Sequence, residues 1–220
     1  AIQYFNKALK INPHYDDPNI NLCELLTKKN VTEAISQLKK YLLQNPKSFL
    51  CNHMLGQLLE STGKSSAAAK YYNMAIESNS NYYPSLNNLG LLYSKSQQFD
   101  KAVKIFKAGL RICKNSKKES IGQGEFYKNA GRLFYSTKDF KLAKSCFEKS
   151  IEIDPNCNEV KSQKLILLNH ICDWSELDQL EPPLHQLGIT TPSVDPFGFL
   201  PTEDHPERQL IRASKYVLKK

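Results

Sequence analysis

Small and apolar residues recur along this chain in one spaced pattern. An alanine is followed four positions on by a large apolar residue, usually by a small one seven on, and often by a proline twelve on. The copies are Ala1/Phe5/Ala8/Pro13, Ala34/Leu38/Tyr41/Pro46, Ala68/Tyr72/Ala75/Ser80, Ala102/Phe106/Gly109/Lys114 and Ala143/Phe147/Ser150/Pro155. Steps of three and four keep these residues on one face of a helix. Upstream of each alanine lies a second apolar element: Leu22-Cys23 with Leu26, Leu55-Gly56 with Leu59, Leu89-Gly90 with Tyr93, and Ala130-Gly131 with Phe134. Each copy therefore predicts two amphipathic helices, with a glycine or other small residue where they meet. Proline after the second helix is a stop signal.

The five alanines are separated by 33, 34, 34 and 41 residues, and a period near 34 is that of the tetratricopeptide repeat. The long step holds about seven inserted residues, which the polar and glycine-containing stretch 113–123 accommodates as a loop. One such helix pair cannot bury its apolar face alone, so neighbouring copies must stack. The expected fold is all-α: a right-handed tetratricopeptide-repeat superhelix (an α-solenoid), then a proline-rich connector and a last helix. The expected divisions are 1–15 (second half of a repeat), 16–48, 49–82, 83–116 with the loop 113–123, 124–157, a degenerate repeat with capping helices over 158–187, and 188–220. Ala1 falls inside a second helix and no initiator methionine precedes it, so the chain is expected to be a piece of a longer protein. No apolar run approaches membrane-spanning length.

The net charge of +8 is unevenly spread. Residues 61–120 hold ten Lys or Arg against three Asp or Glu. Lys101, Lys104, Lys107, Arg111 and Lys114 recur every three or four residues, on the side of their helix away from Ala102, Phe106 and Gly109. They read as a solvated outer face, the alternative being a docking stripe for an acidic partner. No aromatic platform or helix-turn-helix signature accompanies them, so no nucleic-acid partner is expected. The six cysteines are scattered without a close CxxC pair. That predicts no metal site, and a reducing compartment, cytoplasmic or nuclear.

Immediately before the leucine-glycine element of the first helix, three of four copies place asparagine: Asn21, Asn88 and Asn129, with Met54 in the fourth. In tetratricopeptide superhelices this register faces the groove. Asparagine both donates and accepts, so a column of amides can hold the backbone of an extended polypeptide whatever its side chains. Asn21, Asn88 and Asn129 are thus the candidate peptide-binding residues, and extended polypeptide segments the expected partners. A tolerated polar residue on a wetted face is the plainer alternative.

After Pro155 a further first helix runs through Val160, Leu165, Ile166, Leu167 and Leu168, but the second half of its repeat is replaced by His170-Ile171-Cys172-Asp173-Trp174. Asp173 and Glu176 suit a capping box. Leu177, Leu180, Leu184 and Leu187 continue a one-sided apolar spacing, interrupted by Pro182-Pro183. Six of the eleven prolines lie between 182 and 206. Phe197, Phe199 and Leu200 argue for an ordered connector. Pro206 opens a last helix with Leu210, Ile211, Ala213, Val217 and Leu218 as its apolar side.

Repeats with Asn87-Asn88-Leu89-Gly90 and Asn129-Ala130-Gly131 are followed by Cys172-Asp173-Trp174-Ser175-Glu176-Leu177-Asp178. Then come Pro192-Ser193-Val194-Asp195-Pro196-Phe197 and Gln209-Leu210-Ile211-Arg212-Ala213-Ser214-Lys215-Tyr216. In this order they resemble the protein O-GlcNAc transferases at the junction of repeat superhelix and catalytic region. The resemblance implies a parent enzyme that moves N-acetylglucosamine from UDP-N-acetylglucosamine to serine or threonine hydroxyls of intracellular proteins without a metal. It implies that Asn21, Asn88 and Asn129 gather polypeptide substrates. The donor site would lie in domains beyond Lys220, so this chain carries no catalytic or cofactor-binding residue of its own. The family's active-site histidine near the connector has no counterpart in register, His205 being displaced. The alternative from another class is a stand-alone repeat scaffold whose last helices cap the stack.

Overall fold

A computed structural model describes residues 4, 7, 11–12, 16–115, 122–173, 189 and 206–218. It contains the helices α1 (Asp16–Thr27), α2 (Val31–Gln44), α3 (Phe49–Ser61), α4 (Ser65–Ser78), α5 (Tyr83–Lys95), α6 (Phe99–Asn115), α7 (Gln123–Ser136), α8 (Phe140–Ile153), α9 (Asn158–His170) and α10 (Pro206–Leu218). Among the described residues there is no strand, and no helix is long and apolar enough to cross a membrane.

The chain divides into two compact units, 1–122 and 123–220. In the first, α1–α2, α3–α4 and α5–α6 form hairpins; each helix packs on the next, and the first helices α1, α3 and α5 touch in succession. In the second, α7–α8 is a hairpin with α9 packed against both helices. Three-residue turns between the helices of a hairpin leave room for nothing but an antiparallel return.

Glycines set how close those helices come. A Cβ on Gly56 would stand 2.7 Å from the Tyr72 ring, one on Gly90 2.5 Å from Phe106, and one on Gly131 2.6 Å from Phe147. The ring follows its glycine by 16 residues each time, and Tyr72, Phe106 and Phe147 are all essentially buried. The first hairpin instead carries Cys23 in the glycine's register and Leu38 in the ring's, both fully buried. A larger residue on one helix goes with a smaller one on the other, as a core packed to constant density requires.

The turns repeat as closely as the cores. Gly63 has φ +77°, and the residues two beyond the ends of α5, α7 and α9, which are Gln97, Lys138 and Cys172, have φ of 58°, 62° and 54°. At each turn the next amide reaches back five residues: Lys64 to Leu59, Gln98 to Tyr93, Asp139 to Phe134 and Asp173 to Leu168, at 2.8–2.9 Å. This left-handed closure satisfies the last carbonyls of the first helix. Three of the four turns hold it without glycine, at roughly 1 kcal/mol each. Side chains then start two of the second helices, α2 and α8: Asn30 Oδ1 accepts from the amides of Thr32 and Glu33, and Asp139 Oδ1 from that of Leu142.

One sequence expectation changes. The inserted loop is shorter than 113–123, because α6 continues to Asn115 and α7 begins at Gln123; Cys113 is a buried core residue that holds the extra turn of α6 on the helix. On the last helix, α10, the expected apolar side is present and uncovered. Leu210, Val217 and Leu218 are exposed on α10, while Arg212 is fully buried. At Cys172-Asp173 the backbone makes the same left-handed turn that follows α3, α5 and α7. The helices expected over 1–15 and 174–187, the Asp173–Glu176 capping box and the connector 188–205 lie outside the described residues, apart from isolated positions.

Substituting Gly56, Gly90 or Gly131 by alanine discriminates packing from helix propensity. Propensity alone would make alanine stabilising by up to about 1 kcal/mol; overpacking against a fixed ring costs about 1–3 kcal/mol. We expect each variant to unfold at lower urea concentration than the parent. A higher midpoint would show that the ring contact does not limit the approach of the helices.

Candidate polypeptide-binding face

In the first unit the successive contacts of α1, α3 and α5 bring Asn21, Met54 and Asn88 onto neighbouring helices at one register. Asn21 is exposed, and Met54 and Asn88 are half-buried. Beneath them, buried side chains tie each first helix to the next. Asn19 Nδ2 donates to Cys51 Sγ at 3.5 Å, and His53 Nδ1 is hydrogen-bonded to Ser85 Oγ at 3.0 Å. Both links span 32 residues, just short of one repeat step, and none of the four side chains is exposed. The Cys23 thiol, between α1 and α2, is raised to about 12 by burial and then by Cys51 nearby. It is a packing group and not a nucleophile.

Asn88 is held by a polar chain that crosses the second hairpin. Lys95 Nζ donates to Glu60 Oε1 at 3.2 Å, Tyr72 Oη donates to Glu60 Oε2 at 2.9 Å, and Asn88 Nδ2 donates to Tyr72 Oη at 3.5 Å. Burial, followed by the Glu60 carboxylate, holds the Tyr72 hydroxyl above its ordinary value, so it remains the donor to Glu60. That fixes the direction of the chain: the Asn88 amide nitrogen turns toward Tyr72. Its Oδ1 is left as the atom that can accept from a bound backbone N–H.

Asn129, in the second unit, is in a different situation. It is 6% exposed, and its Nδ2 donates to Glu125 Oε1 at 3.1 Å. Around it Lys128 pairs with Glu125 at 2.8 Å and Glu159 at 3.4 Å, and Arg132 with Glu159 at 3.5 Å. Burial would lower the Lys128 ammonium, but Glu125 and Glu159 together outweigh it and hold the group above its ordinary value. The same register thus gives an open amide at Asn21, an oriented one at Asn88 and a packed one at Asn129. Sequence reasoning missed His53, Ser85, Glu60 and Lys128; a comparison one helical turn to either side of the asparagine register would have reached His53, Ser85 and Lys128, but not Glu60, six residues beyond Met54. Among the described residues no group of three or more His, Cys, Asp or Glu is placed to hold a metal.

Two tetratricopeptide-repeat family models match this chain, at residues 51–82 and 83–156. It carries tetratricopeptide repeats, which make it a protein-interaction scaffold. The human protein O-mannosyl-transferase TMTC3 is 29% identical over 156 residues, which is 69% of this chain but 16% of that protein. Among solved structures, PilF of Pseudomonas aeruginosa is similar with a TM-score of 0.69 at 19% identity, over 92% of this chain and 89% of that one. YrrB, described as a tetratricopeptide-repeat protein with an unusual peptide-binding site, is similar with a TM-score of 0.61 at 17% identity, over 97% of this chain and all of that one. At such identities these structures establish the fold alone.

His53 makes the inter-repeat packing acid-sensitive. The imidazole is 7% exposed and lies 5.1 Å from the Tyr82 ring and 5.7 Å from that of Tyr72. Burial lowers its pKa to about 4. In the unfolded chain it takes up a proton near 6.5, so stability is retained above that value and lost as pH falls toward 4, by on the order of 3 kcal/mol. We expect urea midpoints to drop across this interval, and a His53→Gln variant to lose most of that slope. Equal slopes in parent and variant would assign the acid sensitivity to other groups.

Proposed function

We propose that this chain is the polypeptide-gathering repeat region of a protein O-glycosyltransferase. The reaction assigned to the whole protein is transfer of N-acetylglucosamine from UDP-N-acetylglucosamine to serine and threonine hydroxyls in the cytoplasm or nucleus. The observation that carries the reading is the face of α1, α3 and α5, where Asn21 and an Asn88 amide oriented by Tyr72 flank Met54. Amide groups at this spacing hold a ligand by its backbone, and a methionine between them adapts to varied side chains. That combination suits a scaffold that must accept many unrelated sequences.

The glycosyltransferase part is supported by the Cys172-Asp173-Trp174 and Pro196-Phe197 resemblance. A human protein O-mannosyl-transferase with a related segment supports the coarser class, a protein O-glycosyltransferase. The donor and the enzyme are proposals about the longer protein; residues 1–220 supply the groove.

The groove is tested by binding of labelled extended peptides to residues 1–220. An Asn21→Ala/Asn88→Ala double variant is expected to bind at least about tenfold more weakly while melting within a few degrees of the parent. Asn129→Ala is expected to cost about 1 kcal/mol of stability by removing a buried amide and its hydrogen bond to Glu125. Unchanged peptide affinity in the double variant would refute the groove. The donor is tested separately on the full-length parent: radiolabelled UDP-N-acetylglucosamine should label serine or threonine of acceptor proteins, and residues 1–220 alone should not. Labelling by a mannosyl donor only would replace the sugar assignment, and labelling by neither would leave a scaffold.

A further inference from the structure

The outer face of α6 carries Lys101, Lys104, Lys107, Arg111 and Lys114, all exposed, while Ala102, Phe106 and Cys113 on its other side are buried. We propose that this stripe is a docking surface for an acidic, extended polypeptide segment. It stands on a second helix, away from the register of Asn21 and Asn88, and does not depend on the glycosyltransferase reading.

Three observations distinguish it from an ordinary wetted face. The first is its charge balance. Cations three and four residues apart on a helix repel one another, yet α6 carries one acidic residue, Asp100, in its first turn. Lys104, Arg111 and Lys114 take part in no ion pair among the described residues. The corresponding helix of the other unit neutralises two of its three lysines: on α8, Lys149 pairs with Glu152 and Lys144 with Asp173.

The second is length. The second helices α2, α4 and α8 have 14 residues each and α6 has 17. The added turn carries Lys114 and extends the row of charge to about 20 Å at about 1.5 Å per residue. In the sequence Lys117 and Lys118 come next with no acidic residue between.

The third is what the helix cannot offer other polyanions. Its apolar side is consumed by the core, so it has no face to insert into a lipid surface in the way a basic amphipathic helix does. Rings occur only at its first end, where Phe99 is exposed and Tyr93 lies against Lys101, so none is placed along the stripe from Lys104 to Lys114 to stack successive bases. An extended polypeptide places alternate side chains about 7 Å apart on one side, within reach of lysine and arginine stems spaced one helical turn apart. A segment of about six residues with Asp or Glu at alternate positions would cover the row.

The test is fluorescence anisotropy on residues 1–220 with a fluorescein-labelled peptide of alternating glutamate and glycine. A Lys104→Glu/Lys107→Glu/Arg111→Glu variant is expected to lose at least about tenfold in affinity and most of the salt dependence. Replacing the same three residues by glutamine should give a smaller loss in the same direction. A control with the same change in net charge, Lys39→Glu/Lys40→Glu/Lys47→Glu, should stay within about twofold of the parent. Equal losses in the two reversed variants would reduce the effect to bulk charge and overturn the proposal. So would an unchanged affinity on reversing the stripe, or tighter binding of an oligonucleotide or a phosphatidylserine vesicle than of the peptide.

Discussion

The contact between a glycine on one helix and an aromatic ring 16 residues later controls this structure. At Gly56, Gly90 and Gly131 a ring occupies the volume that any other residue would take for its Cβ. The two backbones close to the distance the ring allows. Because the ring is rigid and buried, the same contact fixes the rotation of one helix about the other. This packing also reaches the candidate face. Tyr72 fills the space over Gly56, and its hydroxyl emerges beside Glu60 and Asn88. A side chain whose ring is needed for the hairpin therefore orients the amide offered to a ligand. Where the pair becomes Cys23 and Leu38, the hairpin keeps a dry core but has no phenol at this position.

The second constraint is the left-handed turn that ends each first helix after α1. Only Gly63 adopts it without strain; Gln97, Lys138 and Cys172 adopt it with two backbone hydrogen bonds closing the turn, and at Gln97 and Lys138 the packing of both helices adds to them. At Cys172 the same closure forms although the sequence pattern has gone. Asp173 then stands where Asp139 caps α8, but its carboxylate accepts from Lys144 Nζ at 2.8 Å. The Cys-Asp-Trp element begins inside a tetratricopeptide turn, and the backbone reaches Asp173 by the same closure that starts a second helix at Asp139.

Much of this was legible in the sequence because it rests on local periodicity. The helices, the hairpin pairing and the residues at each helix crossing follow from apolar spacing and from a small residue placed opposite a large one. The lengths of α6 and its loop were not, because polar residues such as Lys114 and Asn115 are equally at home in a last helical turn. The asparagine register was legible as a pattern and not as a chemistry. Whether the amide is open, oriented or packed depends on Tyr72 for Asn88 and on Glu125 for Asn129, residues on another helix or another turn. Nor does spacing reveal that Arg212 is buried and Leu210, Val217 and Leu218 exposed, since a helical period identifies two sides and leaves open which one the fold covers.

The candidate face and the packing beneath it are one device. His53 precedes Met54, and Ser85 lies one turn before Asn88, so the His53–Ser85 hydrogen bond joins α3 to α5 directly under the two residues that a ligand would bridge. A peptide held at both must find them at a fixed separation, and this buried link supplies it. Burial keeps the imidazole neutral down to about pH 4, so at neutral pH the link forms without a buried cation. At neutral pH the spacing is therefore preorganised, and a ligand does not have to draw α3 and α5 together as it binds. A face that recognises backbone and tolerates many side chains gains little from any one contact, so this fixed spacing is what permits useful affinity.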